Sequence, residues 1–391
     1  MSVVFGSNAT AERPQLQIIN GSGGSVDVFW VDSDGKRVSN GTIAAGDSST
    51  IGTTIGHQFV LTTKDGGDVA KTICRQRIQA FRFQRDGCSD LADLDAANPN
   101  APSCESANWP NGVVIPVDRT MNVPSFYSKI IFANRFPIVG SERVDDYALL
   151  EAAYLVDQLF AHRDDLRLAM IGSGSRMCIM ARDEFTTDLP EHQSLAKASP
   201  MQGVDGRDYW DARARGLGGS GSDPYCSCGE ENLLGFPGDP YATENILIHE
   251  FAHNIHLRGM NNADATFDAR LKKTYQSAMK SNLWSSKYAS VNHHEYFAEG
   301  VQSWFDDNRE DDHDHNHVNT RAELIDYDPG LAAMCREVFG DTKLKYTKPA
   351  TRLSGHMQGY DPASAPTFVW PTRLKHAQKQ IRQKAEQRGK K

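Results

Sequence analysis

Residues 245–253 read Asn-Ile-Leu-Ile-His249-Glu250-Phe-Ala-His253, and the closing H-E-x-x-H restricts this chain more than any other feature. On a helix, two histidines four apart project from one face, close enough to hold one metal ion. The glutamate directly after the first is then placed to work on metal-bound water. The flanks suit a helix. Asp239-Pro240 offers a capping residue and a proline for the first turn, and Gly259 stands where a C-cap glycine would. Ile246, Leu247, Ile248, Phe251, Ala252 and Ile255 supply a broad apolar surface. A core helix with one packed histidine has no need of this glutamate, so the expectation is a metal site.

At 391 residues the chain exceeds one compact core, and two domains with loose ends are expected. Hydrophobic residues make up 39% and charged residues 24%, the balance of a soluble globular protein. No run approaches the roughly 18 apolar residues of a membrane helix, so no membrane span is expected. Met1–Pro14 lacks a basic start and an apolar core, so no secretory signal is visible. A cytoplasmic location is the default, and a secreted one follows if the natural N-terminus lies upstream. The seven cysteines are odd in number and sparse, which predicts free thiols. Cys88 and Cys104 could pair in an oxidising compartment, whereas Cys226-Ser-Cys228 is too tight for a zinc hook. The net charge of −8 divides into +7 over 372–391 and −15 elsewhere. That tail has no interleaved aromatics, so a solvated helix is expected there and nucleic acid is not expected as a partner.

The first part of the chain reads as short strands. Gln15–Ile19, Val26–Val31, Ser49–Ile55, Gln58–Thr62 and Ala70–Cys74 are the candidates, with Asp32-Ser-Asp-Gly35 a hairpin turn. Their spacing predicts a small β-sandwich over 11–84. Within it, Val28-Phe-Trp30-Val-Asp-Ser-Asp-Gly35, Gly41-Thr-Ile, Ala45-Gly46 and Gly56-His57-Gln-Phe59 resemble the β domain of the von Hippel–Lindau tumour suppressor. The resemblance implies peptide binding of the hydroxyproline type, with Trp30 and His57 matching the pocket. Asn40 and Thr53 stand at that family's tyrosine and serine positions, and Phe59 replaces a second tryptophan, so its hydrogen-bonding set is incomplete. In the other reading Trp30 and Phe59 simply pack the sandwich.

Residues 85–124 are rich in Asn, Pro and Asp and read as a linker. An amphipathic helix is expected from Asp145 to about His162, and an apolar strand at Arg176–Ala181. Residues 183–238 lack periodicity, and their place before the metal helix suggests the walls of a cleft.

Two histidines leave a catalytic metal one protein ligand short. His256 fails the metzincin pattern, which has Gly at that position and His at 259. His313-Asp-His315-Asn-His317 lies in a polar stretch that reads as a loop, either lining a site or simply solvated. Asn292-His-His-Glu295-Tyr-Phe-Ala-Glu299 enters an apolar run and puts two carboxylates one helical turn apart. H-E-F-A-H, then Tyr288 and Glu295-Tyr-Phe-Ala-Glu299, resembles the catalytic domain of anthrax lethal factor and related gluzincin peptidases. The resemblance implies one Zn2+ held by His249, His253 and Glu295, with Glu250 as general base. It further implies that Tyr288 assists the transition state and that Glu299 holds a zinc-bound histidine or exchanges roles with Glu295.

The fold class expected is therefore multidomain: a small all-β sandwich, then an α+β zincin-like metallopeptidase domain over 125–345, then an extended segment and basic tail over 346–391. The expected reaction is hydrolysis of a protein or peptide substrate by zinc-activated water. The alternatives are a non-catalytic binding protein on a zincin scaffold and a zinc hydrolase of a non-peptide amide.

Overall fold

The computed structural model describes residues 13–64, 66–83, 110–118, 121, 123–160 and 163–388. Its N-terminal part is all β. Strands β1 (Gln15–Asn20), β2 (Val26–Val31), β3 (Arg37–Ile43), β4 (Ser48–Gly52), β5 (Gln58–Thr63), β6 (Asp68–Ile73) and β7 (Ile78–Phe83) form two sheets, ordered β4-β1-β7 and β3-β2-β5-β6. Leu16 and Ile18 from the first sheet meet Val26, Val28, Phe59 and Leu61 from the second in one core. The hairpin between β2 and β3 closes as expected: Asp32 Oδ1 accepts from the amides of Asp34 and Lys36, and Gly35 takes φ 78°. Two strands had no sequence signal. Six of the seven residues of β3 are exposed, so it carries no apolar alternation, and Arg82 interrupts the apolar run of β7.

The outer edge of β7 meets the rest of the chain. Asn262 pairs with both backbone groups of Ile78, at 2.8 and 3.0 Å, and the Ala80 amide donates to the Ser173 carbonyl at 2.9 Å. Gly174 lies so close to this edge that a Cβ would sit 2.6 Å from the Ala80 carbonyl oxygen, and its φ is +83°. A sheet edge that would otherwise expose unpaired amides is thereby covered.

The remainder mixes helices with one six-stranded sheet. Its strands are β8 (Ile115–Pro116), β9 (Lys129–Ala133), β10 (Phe136–Gly140), β11 (Arg176–Met180), β12 (Gly216–Leu217) and β13 (Tyr225–Gly229), ordered β12-β13-β11-β10-β9-β8. Strands β10, β11 and β13 run parallel, and β12 is an antiparallel edge strand. The stretch read as a linker thus contributes β8, while Cys88 and Cys104 lie outside the described residues. Cys74, Cys178, Cys226, Cys228 and Cys335 carry free, buried thiols.

The helices are α1 (Asp146–Leu159), α2 (Asp164–Gly172), α3 (Gly206–Arg213), α4 (Glu230–Leu234), α5 (Ile246–Asn254), α6 (Asn261–Ala263), α7 (Phe267–Lys280), α8 (His293–Trp304), α9 (Arg321–Tyr327), α10 (Pro329–Phe339) and α11 (Thr372–Arg388). Helix α1 begins as expected, with Asp145 capping the Tyr147 amide. The irregular stretch 183–238 proves to hold α3, β12, β13 and α4. Helix α11 differs from the solvated tail expected: Leu374 and Ala377 are buried with Phe185, Met201, Val204 and Phe368, and Arg373 pairs with Asp208 and Asp211 at 2.8 and 2.7 Å.

Candidate metal centre

The histidine-bearing helix starts later than Asp239-Pro240. Asn245 is its cap, with Oδ1 accepting from the Ile248 amide at 3.1 Å, and Asp239 instead closes a turn through the Tyr241 amide. Asn232 fixes that choice from a distance: its amide nitrogen reaches Asp239, the Tyr241 carbonyl and the Glu244 carbonyl, and its oxygen accepts from the Ile246 amide at 2.7 Å. Gly259 is not a C-cap. The helix runs on into a π-turn, Ile255–Met260, and Gly259 lies inside it, where a Cβ would meet Met170 of α2 at 3.4 Å.

Helix α5 packs on α8, with Ile248, Ala252, Phe297 and Ala298 fully buried in the shared core, while Phe251 turns its ring to Phe136 and Phe160. Asn292 starts α8 by accepting from the amides of His294 and Glu295, which aims Glu295 at α5. Glu295 Oε2 lies 3.2 Å from His249 Nε2 and 3.3 Å from His253 Nε2. These three side chains could hold a metal ion, all their ligand atoms falling within 4.8 Å of one another.

His249 has oxygen on both sides. Its Nδ1 lies 2.8 Å from Gln302 Oε1, and that amide is oriented by its nitrogen, which donates to Glu244 Oε2 at 3.0 Å. With Nδ1–H donating to Gln302, the Nε2 lone pair faces Glu295, and only a cation there, proton or metal, suits both ring nitrogens. Burial disfavours a charged His249, but Glu295, Glu250 and Glu299 outweigh it and push the imidazole well above its ordinary range. Burial likewise opposes ionisation of Glu295, yet the two histidines hold its carboxyl well below the usual carboxylate range.

Glu250 faces the same cleft. Burial raises its carboxyl, and His249, His253 and the Arg213 guanidinium pull it back. The Tyr288 ring sits 6.2 Å from that of His249, and burial followed by the charge of Glu295 raises its phenol, which therefore stays protonated. The cleft has a volume of about 760 Å³, and Gly216–Gly221, Tyr241, Arg213 and Ile381 of α11 form its other walls.

Glu299 is one step removed. Its Oε1 lies 3.5 Å from His249 Nδ1, farther than Gln302, and its Oε2 lies 3.3 Å from His315 Nε2. The histidine cluster splits three ways: His313 points to solvent, His315 is buried between Glu299 and Asp312, and His317 packs edge-on against Tyr327. Sequence reasoning missed Gln302, although it follows Glu299 by three residues on the same face. Arg213 carries no sequence signal at all. On the N-terminal sheets Trp30 and His57 do come together, ring centroids 5.0 Å apart, with Thr53 Oγ1 3.0 Å from His57 Nδ1. Phe59 is core and Asn40 is exposed, its amide turned to the Val38 carbonyl.

No protein-family model matches this chain, and no curated protein matches it. Among solved structures it is similar to a protein from Eubacterium rectale determined by NMR, at 18% identity over 21% of this chain and 85% of that one, with a TM-score of 0.17. A likeness at that level carries no argument. Among the described residues no helix is long and apolar enough to cross a membrane.

Proposed function

We propose that the chain is a zinc-dependent metallopeptidase of the gluzincin type, a zincin-like unit carrying an N-terminal β-sandwich. The observation that supports this best is one carboxylate oxygen, Glu295 Oε2, at 3.2 and 3.3 Å from two imidazole nitrogens. Donor atoms about 2.0–2.1 Å from a tetrahedral zinc ion lie roughly 3.3 Å apart, so both contacts match edges of that polyhedron. Two imidazoles and a carboxylate are a donor set that zinc takes in hydrolases. Bound there, zinc polarises a carbonyl and lowers the pKa of water to about 7.

The protein's own groups do the rest. Glu250 accepts the proton of the attacking water and returns it to the leaving amine. Its raised carboxyl favours holding that proton in transit. Tyr288, protonated, donates to the oxyanion as the carbonyl becomes tetrahedral. Gln302 fixes the tautomer and ring plane of His249. The cleft suits an extended peptide, because β12, the edge strand of the sheet among the described residues, lies along its rim.

The test is Glu250→Gln. Hydrolysis of a peptide library, profiled by mass spectrometry against wild type, is expected to fall by about 10²–10⁴-fold while zinc content stays at the wild-type value. Wild-type turnover in that variant would sink the assigned chemistry.

A further inference from the structure

A second cluster repeats the arrangement of the first. Asp268 near the start of α7 turns Oδ1 toward two imidazoles, His256 Nε2 and His293 Nε2, each at 3.0 Å. His294, next along α8, brings a third ring, its centroid 4.1 Å from that of His293 and 5.2 Å from that of His256. Ligand atoms of Asp268, His293 and His294 all lie within 4.8 Å of one another. His256 is wholly buried against Phe267 and Phe297, and among the described residues its Nδ1 has no hydrogen-bond partner. Among the described residues the contact with Asp268 is therefore its ring's one hydrogen bond, which fixes the carboxylate from the buried side as outer partners do for metal ligands. On the other side the cluster opens: the side chains of Asp268 and His293 are 42% and 17% exposed, a route for an ion to enter.

His256 is the second residue of the π-turn, and its ring lies against Phe267 of α7 and His293, His294 and Phe297 of α8. His256, set aside as a third ligand of the first centre, thus faces another carboxylate.

We infer that Asp268, His293 and His294 form a second divalent-metal site, with His256 as the positioning residue behind Asp268. Two imidazoles and one carboxylate select a borderline cation such as Zn2+ over Mg2+ or Ca2+, which prefer all-oxygen shells. An ion here ties α7 to the first turn of α8, adjacent to Glu295. The inference stands apart from the catalytic proposal, since it shares no ligand with it.

Metal counting on the full chain tests it. Protein stripped with a chelator, reloaded with Zn2+ and desalted is expected to carry two zinc ions per chain by inductively coupled plasma mass spectrometry. Asp268→Asn/His293→Gln is expected to carry one, and so is His249→Gln/His253→Gln. If only the second double variant keeps the wild-type count, the catalytic reading fails and the site at Asp268 stands. A wild-type count of one that His249→Gln/His253→Gln abolishes overturns the inference. So does a count of two that survives Asp268→Asn/His293→Gln, which would mean adventitious zinc only. Should that variant fail to fold by circular dichroism, anomalous diffraction from zinc-loaded wild-type crystals decides. A peak bridging Asp268, His293 and His294 is expected, and an empty map there refutes the site.

Discussion

Replacing Gln302 by methionine isolates the group that orients His249. The side chain is fully buried and does two things: Oε1 accepts from His249 Nδ1 at 2.8 Å, and Nε2 donates to Glu244 Oε2 at 3.0 Å. Methionine fills similar volume but leaves both groups without that partner. The next acceptor for His249 Nδ1 is Glu299 Oε1 at 3.5 Å, too far for a good bond, whereas Glu244 keeps its ion pair with Arg309 at 3.1 Å. One buried donor without a partner costs about 1–3 kcal/mol, and the weakened Glu244 adds to it, so a stability loss of roughly 2–4 kcal/mol is expected. Removing the outer partner of a metal-bound histidine lowers metal affinity by about 10–100-fold, which is ~1.4–2.7 kcal/mol. Competition with a chromophoric chelator measures the affinity, and urea denaturation the stability. Gln302→Glu separates the two quantities. It keeps an acceptor for His249, so affinity holds, but it sets a second carboxylate against Glu244, so stability falls. Glu299→Gln should change affinity by less than about threefold, given its longer contact. If Gln302→Met bound zinc within about threefold of wild type while Glu299→Gln lost tenfold or more, Glu299 would be the orienting group and the assignment to Gln302 would be wrong.

Arg213→Ala removes a cation that draws the Glu250 carboxyl downward against its burial, so that carboxyl should rise further. A base works only when ionised, so the acid limb of kcat/KM should move to higher pH while the alkaline plateau stays put, and added salt should shrink the difference. Superimposable profiles would show that Arg213 does not act on Glu250. Arg215 and Glu231 form a wholly buried ion pair, with contacts of 2.5 and 3.0 Å. Arg215→Met strands a buried carboxylate and should cost about 3–5 kcal/mol in urea denaturation, with Arg215→Met/Glu231→Leu recovering much of it. A loss below ~1 kcal/mol in the single variant would contradict that account.

What could be read in the sequence was what depends on short-range spacing. The H-E-x-x-H pair is set by the i,i+4 geometry of one helix, and β2 announces itself by alternation. What escaped was decided by distant partners. Asp239-Pro240 has every local mark of a helix start, yet the helix waits for Asn245. Asn232 holds the intervening turn, and Asp307, far along the chain, accepts from the Asn245 amide at 3.1 Å. Gly259 looked like a stop because glycine usually is one at that offset. Here it lies inside a π-turn beside α2, where a Cβ would make an ordinary 3.4 Å contact with Met170, so it neither ends the helix nor is demanded by the packing. In α11 the charges masked a narrow stripe: Leu374, Ala377 and Ile381 follow helical spacing, and the first two are buried. Lys375, Lys379 and Arg382 form its solvated face, and Arg373 ties it to Asp208 and Asp211.

The same long-range logic joins the parts of the centre that sequence treated separately. Arg309 pairs with Glu244, Glu244 accepts from Gln302, and Gln302 accepts from His249, so a line of polar contacts runs from the cleft wall to the proposed ligand His249. Arg309 also pairs with Asp312 at 3.2 Å, and the Asp314 carbonyl accepts from the Tyr288 amide at 2.7 Å. His315 closes the circuit through Asp312 on one side and Glu299 on the other. The segment 309–315 therefore fixes both the orientation of His249 and the position of Tyr288, which no local pattern connects. A change there that leaves every ligand intact should disturb metal affinity and oxyanion stabilisation together, because one polar loop supports both.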